Sequence, residues 1–183
     1  MKIIHITYFV HGTTTDNEKG LATGWLPGEL SESGIKQAKE LGVLVSNKKF
    51  DIVFCSDLKR AVDSAKLGFG KKHKIIQDKR LRECNYGDFT GESAKEFENN
   101  LADYVERPFP NGESYKEVEK RVDDFLHMLK KEYCDKKIAI VAHQGPQLAL
   151  DVLIKGKSWK QAIEEDWRKR KVWHPGWEYE LIC

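Results

Sequence analysis

The chain has 183 residues, of which 40% are hydrophobic and 33% are charged, and its formal net charge is +2. This composition is typical of a folded globular protein and excludes global disorder, and so small a net charge gives no reason to expect nucleic-acid or membrane binding. We therefore expect a single domain over 1–183. Two basic stretches, 71–74 and 168–171, are expected first to be solvated faces and only second to steer anions.

Apolar runs and cysteines in the sequence indicate the cellular compartment in which the protein is expected. No apolar run approaches the roughly 20 residues of a membrane helix, and the apolar start of the chain lacks the small-residue cleavage site of a signal peptide. The four cysteines, Cys55, Cys84, Cys134 and Cys183, are far apart and form no paired motif. We therefore predict neither a disulfide framework nor a zinc site, and we expect reduced thiols in a cytoplasmic protein.

The apolar pattern alternates along the chain between the period of a strand and that of a helix. In chain order the predicted elements are a strand over 3–10, a Gly-rich loop over 20–28, a helix from 31, a strand over 50–55, a helix after 57, a strand over 74–77, a loop over 81–88, a helix over 92–105, a helix after 114, a strand over 138–142, helices from 146 and 158, and a strand over 177–181. This order predicts a three-layer α/β/α sandwich with a mostly parallel sheet.

Cap residues and helix breakers refine some of these boundaries. Ser56 and Asp57 are good N-cap residues for the helix after the second strand. Ser114 with Glu117 has the spacing of a capping box. Between these points, a small helical excursion at about 92–112 begins with a charged helix that we expect to be exposed.

Chemistry-bearing residues follow three of the predicted strands. His11 and Gly12 come directly after the first strand, Arg60 lies in the first turn of the helix after the second, and His143 and Gln144 follow the strand at 138–142. The carboxyl ends of parallel strands meet at one edge of a sheet, where ligands bind. A helix N-terminus and a guanidinium both favour an anion. The pattern therefore predicts an anion site that contains two histidines and an arginine.

These residues resemble the histidine phosphatase superfamily, in its phosphoglycerate-mutase-like branch. The motifs that carry the resemblance occur in the family's order, and they are Val10-His11-Gly12-Thr13 with Asn17, Gly20 and Gly24, then 30–38, Ser56-Asp57-Leu58-Lys59-Arg60-Ala61, Leu81-Arg82-Glu83 with Gly87-Asp88, Gly112-Glu113-Ser114, and Val141-Ala142-His143. Because the motifs span nearly the whole chain, the resemblance implies the phosphoglycerate-mutase-like fold for all of it.

The resemblance also implies a role for each site residue. His11 would be the nucleophile that takes the phosphoryl group on a ring nitrogen, and Glu83 would be the general acid for the leaving oxygen. Arg60 and His143 would clamp the phosphoryl oxygens. No metal or other cofactor is implied. The substrate pocket would be lined by Gly12, Asn17, Thr23, Gly24 and Gln144.

One position departs from the family's pattern. Where the family has an arginine before its nucleophile, this chain has Val10. A hydrogen bond to a charged group is worth about 1.5–3 kcal/mol, so its loss is expected to lower activity about ten- to a hundredfold or more. Arg80, Arg82 and Lys59 are the candidates to supply the missing charge.

The leading hypothesis is a metal-independent phosphomonoesterase that hydrolyses a small phosphorylated metabolite through a phosphohistidine on His11. Its ligand would be that substrate or a phosphate ion, with no nucleic-acid or membrane partner, and its oligomeric state is left open. Two alternatives remain, a degenerate member that binds a phosphorylated ligand or protein with little turnover, and a phosphoglycerate-type mutase. The pair Cys55 and Arg60 also resembles a cysteine-phosphatase loop, but its spacing is one residue short.

Overall fold

The computed structural model describes residues 2–70, 72–170 and 176–183, and within them it forms a five-stranded sheet flanked by helices. The strands are β1 Ile3–Val10, β2 Ile52–Cys55, β3 Ile75–Gln77, β4 Lys137–Ala142 and β5 Trp177–Ile182. The α-helices are α1 Thr15–Lys19, α2 Glu32–Leu44, α3 Lys59–Phe69, α4 Lys95–Glu98, α5 Tyr115–Glu132, α6 Gln144–Lys155 and α7 Trp159–Glu164. Single 3₁₀ turns occupy Lys79–Leu81, Gly87–Phe89, Leu101–Tyr104 and Trp167–Arg170.

The strand order across the sheet is β3-β2-β4-β1-β5. The pairs β2–β3, β2–β4 and β1–β4 are parallel, and β5 joins β1 as an antiparallel edge strand. On β5 the side chains of Tyr179 and Leu181 are buried and those of Glu178 and Glu180 are exposed, as expected for a strand with one wet face. The predicted mostly parallel α/β fold is confirmed.

Each face of the sheet has its own apolar cluster, because successive side chains of a strand point to opposite faces. On β1, Ile6 packs in the cluster that contains Phe125 of α5. The next core residue on the other face, Phe9, packs with Leu41 of α2 and Ala65 of α3. The sheet is therefore the middle layer, with α2 and α3 on one side and α5 and α6 on the other.

The register of the central strands brings three chain segments together at one edge of the sheet. Val10 pairs with Ala142, and Cys55 pairs with Val141. Since β1, β2 and β4 run parallel and end at this level, the residues that follow them, among them His11 and His143, lie side by side.

The predicted cap of α3 is wrong. The N-cap residue is Leu58, and it has no side-chain hydrogen bond at the helix start. The two residues expected to cap the helix are used elsewhere, because Ser56 Oγ accepts from the Leu58 amide at 3.2 Å and the Asp57 carboxylate binds Arg82. The predicted box of Ser114 with Glu117 is confirmed at the start of α5.

The predicted charged helix over 92–105 is also wrong. The segment forms the one-turn helix α4 and a separate 3₁₀ turn, and within it Phe97 and Leu101 are buried. Phe97 packs with Tyr86 and Phe109, at ring-centroid distances of 4.8 and 5.2 Å. Aromatic burial therefore folds the excursion onto the domain, where a continuous exposed helix would leave these side chains in water.

Cys134 and Cys183 form a disulfide, so the expectation of unpaired thiols is wrong for this pair. Both cysteines lie at the start of β1, because the Ile3 amide donates to the carboxylate of Asp135, the residue after Cys134, and the Cys183 amide donates to the Lys2 carbonyl. Cys55 and Cys84 are free and buried. The spacing of the cysteines in the sequence could not reveal this pair, since Cys134 and Cys183 become neighbours only when β4 and β5 pair with β1. The cytoplasmic location stays a prediction.

The two basic stretches have different surroundings. Lys72 and Lys74 are exposed, as expected for a solvated face. Arg168 in the second stretch is only partly exposed and makes two ion pairs. Lys71 and Lys171 lie outside the described residues. Across the described ranges, no helix is both long and apolar enough to cross a membrane.

Candidate active site

His11 follows β1 directly, and its backbone amide continues the sheet by donating to the Ala142 carbonyl at 3.0 Å. Its ring makes two hydrogen bonds, one from Nδ1 to the Gly12 carbonyl oxygen at 2.7 Å and one at Nε2 with Arg60 Nε at 3.2 Å. A carbonyl only accepts and a guanidinium only donates. The ring is therefore the neutral tautomer with its proton on Nδ1 and its lone pair on Nε2.

Burial and the positive charge of Arg60 lower the pKa of His11 to about 3, against a smaller opposing effect of the Gly12 carbonyl. The imidazole is therefore neutral at physiological pH. A neutral imidazole that carries its lone pair on Nε2 is a usable nucleophile once a ligand takes over the Arg60 Nε–H.

Tight packing explains the glycine after His11. A Cβ on Gly12 would lie 2.3 Å from the Gly34 carbonyl oxygen, so no larger residue fits where this turn meets the start of α2. The Gly12 amide donates to Ser64 Oγ, and Ser64 in turn donates to the Arg60 carbonyl. These bonds tie the turn after β1 to α3, the helix that carries Arg60.

Arg60 is among the most buried large side chains, with 2% of its surface exposed. Its Nη1 donates to the Leu26 carbonyl at 2.7 Å, and its Nη2 donates to the Gly24 carbonyl at 2.8 Å. Gly28, which has φ of +64°, lets the loop pass close to the Arg60 side chain, since a Cβ at this position would lie 3.1 Å from Arg60 Cδ. The Gly-rich loop thus holds the guanidinium in place with its Nε directed at His11.

Glu83 is buried, and its carboxylate lies at the N-terminus of α6. Glu83 Oε1 accepts from the backbone amides of Cys84 and Gly145, both at 2.9 Å. A Cβ on Gly145 would lie 2.5 Å from this oxygen, so the absence of a side chain there lets the carboxylate reach the helix end. Within the described part of the chain, no group donates to the second oxygen, Oε2.

Two side chains far away in sequence hold the backbone of Glu83. Trp25 Nε1 donates to the Glu83 carbonyl at 2.8 Å, and Arg121 Nη2 donates to the same oxygen at 2.9 Å. Arg121 is itself fixed by Glu113, at 3.0 Å between Nε and Oε1. A network of side-chain hydrogen bonds therefore fixes the backbone position of Glu83.

His143 is fully buried beside His11, with ring centroids 5.0 Å apart. Both of its ring nitrogens lack a hydrogen-bond partner among the described residues. Burial, Arg60 and His11 hold its pKa well below the usual range for histidine. Its backbone is fixed by Tyr8, whose hydroxyl accepts from the His143 amide and donates to the His143 carbonyl. A neutral ring with unsatisfied nitrogens is suited to receive a ligand.

Two adjoining cavities open at His11, of about 70 Å³ and about 480 Å³. Asn17 lines both cavities, Thr23 and Gly24 line the smaller one, and Gln144 lines the larger one. The structure thus brings these four predicted pocket residues to the cavities. Of the predicted site residues that the structure describes, Gly12 and His143 line neither cavity.

Other residues at the cavities were not singled out as site residues from the sequence. Glu98 and Arg168 line both cavities, and Gln37 and Trp167 line the larger one. Arg168 belongs to the basic stretch expected first to be a solvated face and second to steer anions; it is only partly exposed, forms ion pairs with Glu98 and Asp166, and lines the cavities at His11. No local pattern marks it, since it is separated from His11 by most of the chain.

The side chains considered as substitutes for the missing arginine are engaged elsewhere. Arg82 forms a bidentate pair with Asp57, Arg80 binds Asp78, and Lys59 binds acidic side chains at the surface. The cysteine-phosphatase alternative also lacks support, because burial and the nearby Asp57 raise the pKa of Cys55 to about 12. Such a thiol does not ionise to the nucleophilic thiolate near neutral pH.

A larger groove, with a volume of about 1110 Å³, lies at the opposite edge of the sheet and is lined by the C-terminal ends of α2 and α3. It contains none of the predicted site residues. The smallest of these cavities is the one lined by His11, Glu83 and Arg60 together.

The matches to known proteins agree with this geometry. The family model described as histidine phosphatase superfamily (branch 1) matches residues 8–174. The chain is 34% identical over 146 residues to adenosylcobalamin/alpha-ribazole phosphatase of Salmonella typhimurium, covering 74% of this chain and 71% of that protein. It is 31% identical over 176 residues to phosphoglycerate mutase of Schizosaccharomyces pombe, covering 85% and 82%.

Among solved structures, the alpha-ribazole phosphatase from Shigella flexneri superimposes with a TM-score of 0.76 at 27% identity, covering 87% of this chain and 84% of that one. The relatives include both phosphatases and mutases. On the family match, which extends over most of its length, the chain belongs to the histidine phosphatase superfamily, branch 1.

Proposed function

We propose that the protein is a phosphomonoesterase that hydrolyses a small phosphorylated metabolite through a phosphohistidine on His11. The observation that carries the proposal is the hydrogen-bonded ring of His11, whose Nδ1–H donates to the Gly12 carbonyl and whose Nε2 accepts from Arg60 Nε. Two further observations support it: Glu83 lines the smaller cavity, and His143, whose ring nitrogens have no partner among the described residues, lies beside His11.

In the first step, Nε2 of His11 attacks phosphorus while the bond from phosphorus to the leaving oxygen breaks. Protonated Glu83 gives its proton to that oxygen, so that an alcohol leaves. The transition state is loose and spreads charge over the equatorial oxygens, so catalysis consists mostly of positioning and positive charge. Arg60 and His143 are the groups that would meet these oxygens.

The carbonyl of Gly12 supports the intermediate. Phosphorylation of Nε2 makes the imidazole ring cationic, and the bond from Nδ1–H to the Gly12 oxygen becomes a charge-assisted one. In the second step, water attacks phosphorus and the phosphorus–nitrogen bond breaks. Glu83, now a carboxylate, takes the proton from this water, so that phosphate leaves and the starting state returns. A neutral imidazole needs no metal for this chemistry, and the proposal includes none.

A mutase is the second candidate, because the fission-yeast relative of 31% identity is named a phosphoglycerate mutase. In a mutase the phosphohistidine would pass its group to another hydroxyl of the substrate rather than to water. Hydrolysis is favoured here because the excursion at 92–112 folds onto the aromatic residues around Phe97 instead of forming a large enclosure. The mutase reading predicts phosphoryl exchange without net release of phosphate.

The test is phosphate release by the purified protein from an aryl phosphate and from a panel of sugar, amino-acid and nucleoside phosphates. We expect turnover by the wild type and loss of at least about a thousandfold in His11→Asn, since the covalent route is closed. His127→Asn is the matched control, because His127 is exposed on α5. Equal rates in His11→Asn and wild type would contradict the proposal, and a silent wild type that still binds phosphate would indicate a degenerate member.

A further inference from the structure

The cavities at His11 contain more charged groups than the proposed mechanism uses. Among the described residues, the charged side chains that line them are Arg60, Glu83, Glu98 and Arg168. Val10, which precedes the nucleophile, lines the larger cavity as well and supplies no charge. Two cations and two carboxylates therefore face the space that a substrate would fill.

Arg60 alone is poorly placed to neutralise a phosphoryl group. Its Nη1 and Nη2 atoms both donate to backbone carbonyls of the Gly-rich loop, which leaves Nε as the group that faces His11. A transferring phosphoryl group carries charge on three equatorial oxygens. A second cation on the other side of the cavity would meet oxygens that Arg60 Nε does not reach.

Arg168 is a second cation that lines both cavities, and a buried carboxylate holds it in place. Its Nε donates to Asp166 Oδ2 at 3.1 Å, and its backbone amide donates to Asp166 Oδ1 at 3.0 Å. Asp166 is buried and accepts a further bond from Gln144 Nε2 at 2.6 Å. Since Gln144 begins α6 directly after His143, the guanidinium is linked to the same sheet edge that carries the histidines.

The opposite end of the Arg168 guanidinium is less constrained. Nη1 donates to Glu98 at 3.3 Å, and Glu98 is exposed. Nη2 has no partner within the described residues. In the preceding residue, Trp167, the indole nitrogen is buried and has no partner among the residues that the structure describes, and Trp167 lines the same cavity as Val10 and His11. An exposed carboxylate at long hydrogen-bond distance is a counter-ion that an incoming dianion can replace.

We propose that Arg168 is the second phosphoryl-binding cation of this site, held in position by Asp166 and covered by Glu98 until substrate binds. This inference rests on the proposed function, because it concerns the phosphoryl group that His11 would attack. On binding, the phosphoryl oxygens take the Nη donors of Arg168, and Glu98 moves away. The charge that Val10 does not provide then comes from the C-terminal part of the chain.

The test separates binding of the phosphoryl group from binding of the rest of the substrate. Inorganic phosphate and vanadate carry no leaving group, so their affinities, measured by calorimetry and by inhibition, report on phosphoryl contacts alone. Arg168→Ala is expected to weaken both about ten- to a hundredfold, as loss of a charged hydrogen bond should. Arg168→Lys should retain part of the affinity. Low concentrations of guanidinium ion should partly restore phosphate binding by Arg168→Ala.

Two further variants complete the design. Arg107→Ala is the matched control, because Arg107 is an exposed arginine of the excursion that lines neither cavity. Its phosphate affinity should equal that of the wild type. Glu98→Gln removes the competing carboxylate and should bind phosphate at least as tightly as the wild type. Circular dichroism checks that each variant is folded.

The outcomes distinguish this inference from the proposed function. If the wild type binds phosphate but hydrolyses no ester, and Arg168→Ala loses the binding, the proposed function fails and the inference stands. Unchanged phosphate and vanadate affinity in folded Arg168→Ala overturns the inference even if substrate KM rises, because Arg168 would then contact another part of the substrate. Failure of the wild type to bind phosphate overturns it as well.

Discussion

Arg60 Nε donates a 3.2 Å hydrogen bond to Nε2 of His11, and this contact fixes which ring nitrogen of His11 carries the lone pair. Because a guanidinium has no acceptor atoms, Nε2 must carry the lone pair. The same guanidinium disfavours an imidazolium beside it. Arg60 covers this lone pair, so under the proposed mechanism the phosphoryl oxygens would take over its Nε–H before His11 attacks.

Replacement of Arg60 should therefore affect both binding and the acid–base state of His11. In Arg60→Gln we expect kcat/KM to fall at least about a hundredfold, as when one transition-state donor is lost. The pKa of His11 should rise above its value of about 3, because a neighbouring positive charge is removed. Steady-state kinetics and ¹⁵N NMR of the labelled ring measure these two effects.

Lys59→Ala is the matched control for this experiment, since Lys59 is the exposed cation next in sequence and pairs with Glu29 and Asp63. Its kinetics should remain near those of the wild type. A pKa of His11 that stays near 3 in Arg60→Gln would show that burial alone lowers it.

The close approach of Gly145 to Glu83 gives a second prediction. In Gly145→Ala, the new methyl group would meet Glu83 Oε1 at 2.5 Å, and the carboxylate must move from the start of α6. We expect a fall in kcat that is larger for alkyl phosphates than for p-nitrophenyl phosphate, because a good leaving group needs less help from an acid. Glu83→Gln should show the same dependence on the leaving group. An equal loss for both substrates would mean that the change disturbs binding instead.

The central part of the fold and site could be predicted because its signals are local. The apolar runs that form β1 and β4 are buried on both faces, and parallel strands place their carboxyl ends together. His11, Arg60 and His143 each follow a strand closely, so the sheet itself brings them to one edge. Their meeting needs no knowledge of loop conformations.

The missed features depend on contacts between distant segments. Trp25 and Arg121 hold the Glu83 carbonyl, and Arg168, from the C-terminal part of the chain, lines the same cavity as His11. A basic stretch on its own is most often solvated, and the one here differs only because Asp166 and Glu98 bind Arg168. The aromatic packing around Phe97 is likewise a contact between distant segments, and with it the segment predicted as an exposed helix forms two short helical turns.

The two site histidines should make stability depend on pH. Burial is the main cause that lowers the pKa of both His11 and His143 in the folded protein, whereas an unfolded histidine has a pKa near 6.5. The unfolded state therefore binds more protons below that pH, and stability present above about pH 6.5 is lost as the pH falls. Each histidine should contribute about 1.4 kcal/mol per pH unit to this loss between pH 6 and 5.

Urea unfolding at these pH values tests the prediction, with His143→Asn for comparison. In the variant, the unfolding free energy should change less steeply with pH, by about 1.4 kcal/mol per pH unit, which corresponds to one proton fewer taken up on unfolding. This difference in slope is expected whatever the absolute stability of the variant. Parallel slopes in the two proteins would mean that His143 titrates normally when folded.

The disulfide between Cys134 and Cys183 gives the last prediction. It closes a loop with a sequence separation of 49 residues, and the chain-entropy estimate for such a loop is about 4 kcal/mol of stabilisation. A reductant should therefore lower the Tm of the wild type but not that of a Cys134→Ser, Cys183→Ser double variant, which should already melt at the lower temperature. Thiol titration of the oxidised, denatured protein should count only the free pair Cys55 and Cys84. Four reactive thiols, with a Tm that ignores the reductant, would show that the bond does not form in solution, as the spacing of the cysteines alone suggests.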